Sequence, residues 1–153
     1  MSELAVISIR RTLVDQIIDL RHAILRTGLP RETAIFPGDE ATTSRHYAAL
    51  VVDRVVGCAT LHLNQWQGEP AWQLRGMATA PEYRAKGLGT AILKAIEDEI
   101  LIDPQATRLL WCNARVPAAG FYTKLGWAIA SEKFEVPTAG PHYRMWKRIA
   151  RIP

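Results

Sequence analysis

Arg84, Lys86, Gly87 and Gly89 are the residues whose types and spacing point most directly to chemistry. They lie in Tyr83-Arg84-Ala85-Lys86-Gly87-Leu88-Gly89-Thr90, just ahead of apolar residues at helical spacing. Two glycines one residue apart let a backbone approach a ligand closely. A helix opening at that point would offer unpaired N–H groups and the positive end of its dipole to an anion, with Arg84 and Lys86 adding charge. The stretch reads as a phosphate-binding turn, although the bare pattern fits a plain glycine-rich turn equally well.

Two common nucleotide patterns do not fit it. A P-loop needs G-x-x-x-x-G-K-[ST], and Gly87-Leu88-Gly89-Thr90 has neither that spacing nor a lysine beside the hydroxyl residue. A dinucleotide fingerprint needs a third glycine, where this chain has Ile92, and a first strand leading into the turn.

Other reactive residue types are sparse. Cys58 and Cys112 sit in apolar, β-rich surroundings (Val-Val-Gly-Cys-Ala-Thr and Leu-Leu-Trp-Cys-Asn) and read as buried small hydrophobes. Cys58 with His62 is too small a ligand set for a metal, so no metal is expected. The net charge of +4 is spread along the chain, which suits a small polyanion at one site better than nucleic acid, whose binding usually uses a concentrated basic stripe. The chain shows no secretory leader pattern and no apolar run near the roughly 20 residues of a membrane span. Both absences favour the cytoplasm.

The elements that must position the turn follow from periodicity. Residues 5–9 suggest a strand, and residues 13–25 a helix with Leu13, Ile17, Leu20 and Ile24 inward. Residues 27–40 are rich in Pro and Gly and read as a functional loop with at most one helical turn. Residues 47–52 and 55–63 form a hairpin, residues 64–70 the next turn, and residues 71–78 a fourth strand ended by Pro81. A helix runs from Gly87 to Asp103-Pro104, followed by an apolar strand at 108–112 and a helix opening at Pro117 and closing at Gly126. Residues 127–136 and 143–149 are the last two strands. With 153 residues and no linker or repeat, the reading is one α/β domain over residues 1–153 with a mixed, largely antiparallel sheet of about seven strands.

Three separated segments taken together resemble the GNAT superfamily of N-acetyltransferases. Residues 74–81 run into Glu82-Tyr83-Arg84-Ala85-Lys86-Gly87-Leu88-Gly89, which matches that family's [QR]-x-x-G-x-[GA] signature with its preceding strand. Asn113-Ala114-Arg115, then Gly120-Phe121-Tyr122-Thr123-Lys124-Leu125-Gly126-Trp127, is similar to its later strand-then-helix segment. The resemblance implies a sheet splayed between its fourth and fifth strands and acetyl-coenzyme A as acetyl donor. It places the pyrophosphate on Arg84, Ala85, Lys86, Gly87, Leu88 and Gly89 with the Thr90 hydroxyl. It places the pantetheine arm along Met77, Ala78 and Thr79, with Asn113 and Phe121 lining the cleft, and makes Tyr122 the acid that protonates the departing thiolate. Without the resemblance, Tyr122 reads as a core aromatic at a helix end.

The acceptor side is less determined. The family often carries a glutamate on its fourth strand, but Trp72-Gln73-Leu74-Arg75-Gly76 has no carboxylate. The base must then be Asp39, Glu40, Glu135, His46, His142 or a water relay. Resemblance to one subgroup selects Arg21, Asp39, His46, Arg115 and His142 as acceptor-pocket residues, each of which also fits a solvated or capping role. The expected activity is transfer of acetyl to a primary amine of a small molecule or peptide. The alternatives are a non-catalytic acyl-coenzyme A binding module and a nucleic-acid-binding domain. The apolar last strands and five tryptophans are compatible with a homodimer.

Overall fold

The computed structural model describes residues 6–137 and 139–150. The strand start expected at Ala5 lies outside the described residues. Two compact units divide the chain, Met1–His62 with Arg75–Glu99 and Leu63–Leu74 with Ile100–Pro153. The elements run β1 (Ile7–Thr12), α1 (Ile18–Leu25), β2 (Arg45–Val51), β3 (Arg54–Trp66), β4 (Glu69–Thr79), α2 (Leu88–Ile102), β5 (Leu109–Arg115), α3 (Ala119–Lys124), β6 (Ala128–Ile129), β7 (Phe134–Val136) and β8 (Gly140–Arg148). The strands hydrogen-bond in the order β1-β2-β3-β4-β5-β8-β6, with β7 also on β8. The pairs β1–β2, β2–β3, β5–β8, β6–β8 and β7–β8 are antiparallel and β4–β5 is parallel. This is the mixed, mostly antiparallel α/β arrangement expected, with eight strands among the described residues where about seven were expected.

In the first unit β2 is buried along its length, because a helix covers each face of the sheet. Ile17, Ala48, Leu50, Cys58 and Ala78 form a core against which Leu20, Ile24 and Leu25 of α1 pack. On the other face α2 comes close enough at Gly57 that a Cβ there would meet Ile92 Cδ1 at 2.9 Å and Leu88 Cδ2 at 3.1 Å. The glycine inside β3 is therefore what lets α2 sit down on the sheet. Leu13 departs from the expected helical face and is 72% exposed. Its backbone is extended (φ −79°, ψ 152°) and a 3-10 turn at Val14–Gln16 precedes α1, so Leu13 falls off the apolar stripe.

In the second unit, Leu109, Leu110, Cys112 and Ala114 of β5 and Met145 of β8 are buried. β3 continues to Trp66 where a turn was expected from residue 64. Trp66 stacks on Trp111 with centroids 5.4 Å apart, and only Gln67 and Gly68, both at positive φ, make the turn. The single strand expected over 127–136 is broken at 130–133. There the Ser131 hydroxyl accepts from Arg144 N at 2.8 Å, replacing a ladder partner, and the chain re-enters pairing as β7. No helix among the described residues is long and apolar enough to cross a membrane.

Candidate active site

The residues expected to form a phosphate-binding turn belong to the first unit. β4 ends where Ala80 N donates to Val56 O at 2.8 Å, and a 3-10 turn over Pro81–Tyr83 follows, with proline at its start where no N–H is missed. Ala85 and Gly87 then take left-handed backbone (φ 60° and 82°), and Gly87 O accepts the opening α-helical bond from Ala91 N at 3.0 Å. The amides at the start of α2 have no partner within the helix. Left-handed residues immediately ahead of a helix N-terminus form a concave set of N–H donors for an anion. Arg84, Ala85, Lys86, Gly87 and Thr90 are exposed, while Leu88 is buried and anchors the turn. Glu82 is held below its ordinary pKa by a backbone N–H and by Arg54, with which it forms an ion pair.

Met77, Ala78 and Thr79 close β4. They follow a break in its regularity, because Gly76 sits at φ 60°. A Cβ on Gly76 would lie 2.8 Å from Arg21 Nε and 3.1 Å from Phe36 Cε2, so only glycine fits in both conformation and space.

Arg21, Asp39 and His46 come together in this unit as a closed hydrogen-bond ring, not as solvated groups. Arg21 Nη1 donates to Asp39 Oδ2 at 2.6 Å and to Ala34 O at 2.8 Å, and Nη2 donates to Thr60 Oγ1 at 2.8 Å and Asp39 Oδ1 at 3.3 Å. Asp39 Oδ2 also accepts from Phe36 N at 2.7 Å. Asp39 O can only accept, so His46 Nε2–H donates to it at 2.8 Å. His46 Nδ1 is then left to accept from the Thr60 hydroxyl at 2.8 Å. Asp39, with both carboxylate oxygens occupied and 5% exposure, is poorly placed to take a proton from an amine.

The remaining assigned residues lie in the second unit. Tyr122 is buried on α3 and meets Phe121 and Trp127 edge-on, with centroids 5.1 and 5.2 Å away. Burial, and then the Cys112 side chain, push its hydroxyl pKa up, so the phenol keeps its proton at neutral pH. Gly126 at φ 92° ends the helix and turns the chain so that Trp127 N bonds back to Tyr122 O at 3.1 Å. Asn113 is exposed on β5, opposite Arg144. Arg115 and His142 are register partners on β5 and β8, and His142 Nδ1–H donates to Gly140 O at 2.8 Å. His142 is buried, so a solvated role does not hold for it, and Arg115 is half-buried. Among the described residues no cluster of His, Cys, Asp or Glu is gathered to hold a metal ion.

Three residues of the first unit went unnoticed in the sequence. Thr60 reads as an ordinary strand residue, and nothing local marks it. Gly57 and Gly76 carried a usable signal, since glycine inside a strand often marks a close approach or a bulge.

The Acetyltransferase (GNAT) family model matches residues 14–127. An uncharacterized N-acetyltransferase of Bacillus subtilis (strain 168), YitI, is 30% identical over 149 residues, covering 94% of this chain and 97% of that protein. The chain belongs to the acetyltransferase (GNAT) family. Its fold is that of Escherichia coli ElaA (TM-score 0.76, 18% identity, 93% of this chain and 99% of the other). It is also that of an aminoglycoside 6'-N-acetyltransferase solved with coenzyme A (TM-score 0.73, 17% identity, 95% and 99%).

Proposed function

We propose that this protein is an acetyl-coenzyme A-dependent N-acetyltransferase acting on a primary amine of a small molecule or peptide, over a single catalytic domain. The observation that carries the reading is the left-handed pair Ala85 and Gly87 at the head of α2, in a chain of this family. The exposed residues Ala85 and Gly87, flanked by the exposed Arg84 and Lys86, fit the pyrophosphate of coenzyme A, and a relative in fold was solved with that molecule bound.

Bound acetyl-coenzyme A supplies an acetyl group activated as a thioester. The chain's own part is to hold, orient and protonate. Residues 84–90 fix the phosphate end, with Thr90 adding its hydroxyl. Backbone groups of Met77 and Thr79 are assigned to the arm and to the carbonyl oxygen on which charge develops, and Asn113 and Phe121 to the cofactor cleft. Tyr122 keeps its proton until a thiolate needs it, gives it to sulfur and regains one from solvent. The amine's own proton leaves to water or to an exposed carboxylate, for which Glu40 and Glu135 are the exposed candidates. Arg115 and His142 are assigned to the acceptor side.

The test is thiol release from acetyl-coenzyme A over a panel of primary amines. Amine-dependent release is expected for at least one chemical class. Coenzyme A binding with no release from any amine would instead support a non-catalytic acyl-coenzyme A binding module, the reading that a fourth strand without a carboxylate favours.

A further inference from the structure

We infer that Arg21 is a positioning residue for acetyl transfer: it fixes the bend of β4 at Gly76 and, through that bend, the direction of the backbone at Met77, Ala78 and Thr79. Four hydrogen bonds from its two terminal nitrogens tie it to residues 34 and 39 and to β3, so the guanidinium cannot move without breaking a buried ring. Its remaining donor, Nε, is buried without a hydrogen-bond partner. Nε and Cδ instead lie 2.8 and 3.5 Å from the point where a Cβ on Gly76 would stand. Arg21 thus fills the space that a side chain at residue 76 would need, so shape is what this position uses. Phe36 completes the wall, with the Arg21 guanidinium 4.1 Å over its ring.

The bend is held from its carbonyl as well. Cys58 Sγ–H donates to Gly76 O at 3.5 Å, and burial pushes that thiol up to about 12, so the donor proton stays in place. Gly76 thus has Arg21 where a side chain would stand and Cys58 on its carbonyl, one residue before Met77. A lysine at position 21 would keep the charge and most of the stem, but it cannot reproduce a planar fork with donors to three residues.

The role of residues 77–79 rests on the acetyltransferase reading, so the test pairs a ligand-free readout with a kinetic one. In Arg21→Lys, backbone amide resonances of Gly76, Met77 and Ala78 are expected to move in the ligand-free protein, while those of residues 86–90 stay. With acetyl-coenzyme A and an accepted amine, kcat is expected to fall about tenfold or more with KM for acetyl-coenzyme A nearly unchanged, since small misplacements are costly in rate. Unmoved amides at 76–78, or an unchanged kcat, would overturn the inference. A raised KM for the amine alone would also overturn it, by making Arg21 an acceptor contact. Should Arg21→Lys fail to fold, Thr60→Val, similar in shape, removes one acceptor of the fork together with the donor to His46 Nδ1, and is read by the same criteria. A parent protein without turnover would refute the proposed function, whereas the ligand-free amide shifts would still decide this inference.

Discussion

Replacing Gly87 and Gly89 by alanine, one at a time, should move stability in opposite directions and coenzyme A affinity in the same one. Gly87 sits at φ 82°, where an L-residue is strained by about 1–2 kcal/mol. Gly89 is the second residue of α2, so alanine there should gain about 0.5–1 kcal/mol. For a chain of this length 1 kcal/mol corresponds to about 2–4 °C in Tm, so Gly87→Ala should melt about 2–8 °C lower and Gly89→Ala about 1–4 °C higher. Coenzyme A at about 100 times its Kd stabilises the parent by about 2.7 kcal/mol, a shift of about 5–11 °C. Losing one or two charge-assisted bonds weakens binding about 100-fold, and the same concentration then shifts Tm by only about 1–2 °C. Gly89→Ala should lose affinity because an added methyl hinders close approach of a ligand to the backbone assigned to the pyrophosphate. Thermal melts of the three proteins with and without coenzyme A read all of these quantities. Parental ligand shifts in both variants would refute the phosphate assignment, and a lower unliganded Tm for Gly89→Ala would refute the conformational reasoning.

Tyr122→Phe keeps both edge-on aromatic contacts and should leave coenzyme A affinity unchanged while lowering kcat about 100-fold or more, as measured by thiol release; an unchanged kcat removes Tyr122 from the acid role. Stability should decline in alkali. Cys58 and Cys112 rise from an ordinary 9.0 to about 12 on burial, so between those values the unfolded chain releases protons that the folded chain retains. Each thiol therefore removes up to about 1.4 kcal/mol of stability per pH unit above 9. Urea midpoints across this range should fall less steeply when both cysteines are replaced by alanine, and equal slopes would contradict the burial argument.

The turn and its helix were legible because their signals are local: glycines, Pro81, and an apolar stripe from Leu88 to Ile100. The strand order of the meander followed from short turns between β-branched runs. What escaped depends on partners distant in sequence. Leu13 has the right spacing for the helical face, yet the chain is still extended there. β3 runs on to Trp66 because Trp111, 45 positions away, stacks on it. The acceptor set shows the same limit. Resemblance selected Arg21, Asp39, His46, Arg115 and His142 as acceptor residues, and the first three hydrogen-bond into one buried ring. Only the fold reveals that Thr60 closes their ring and that the ring faces the Gly76 bend.

Backbone amide NMR during titration with coenzyme A, and separately with pantetheine, locates the donor's phosphates on the chain. Resonances of Lys86, Gly87, Leu88 and Gly89 should move with coenzyme A and stay with pantetheine, which lacks the pyrophosphate. Movement confined to other amides, or equal movement with both compounds, would contradict the assignment of residues 84–90 as the donor's phosphate anchor.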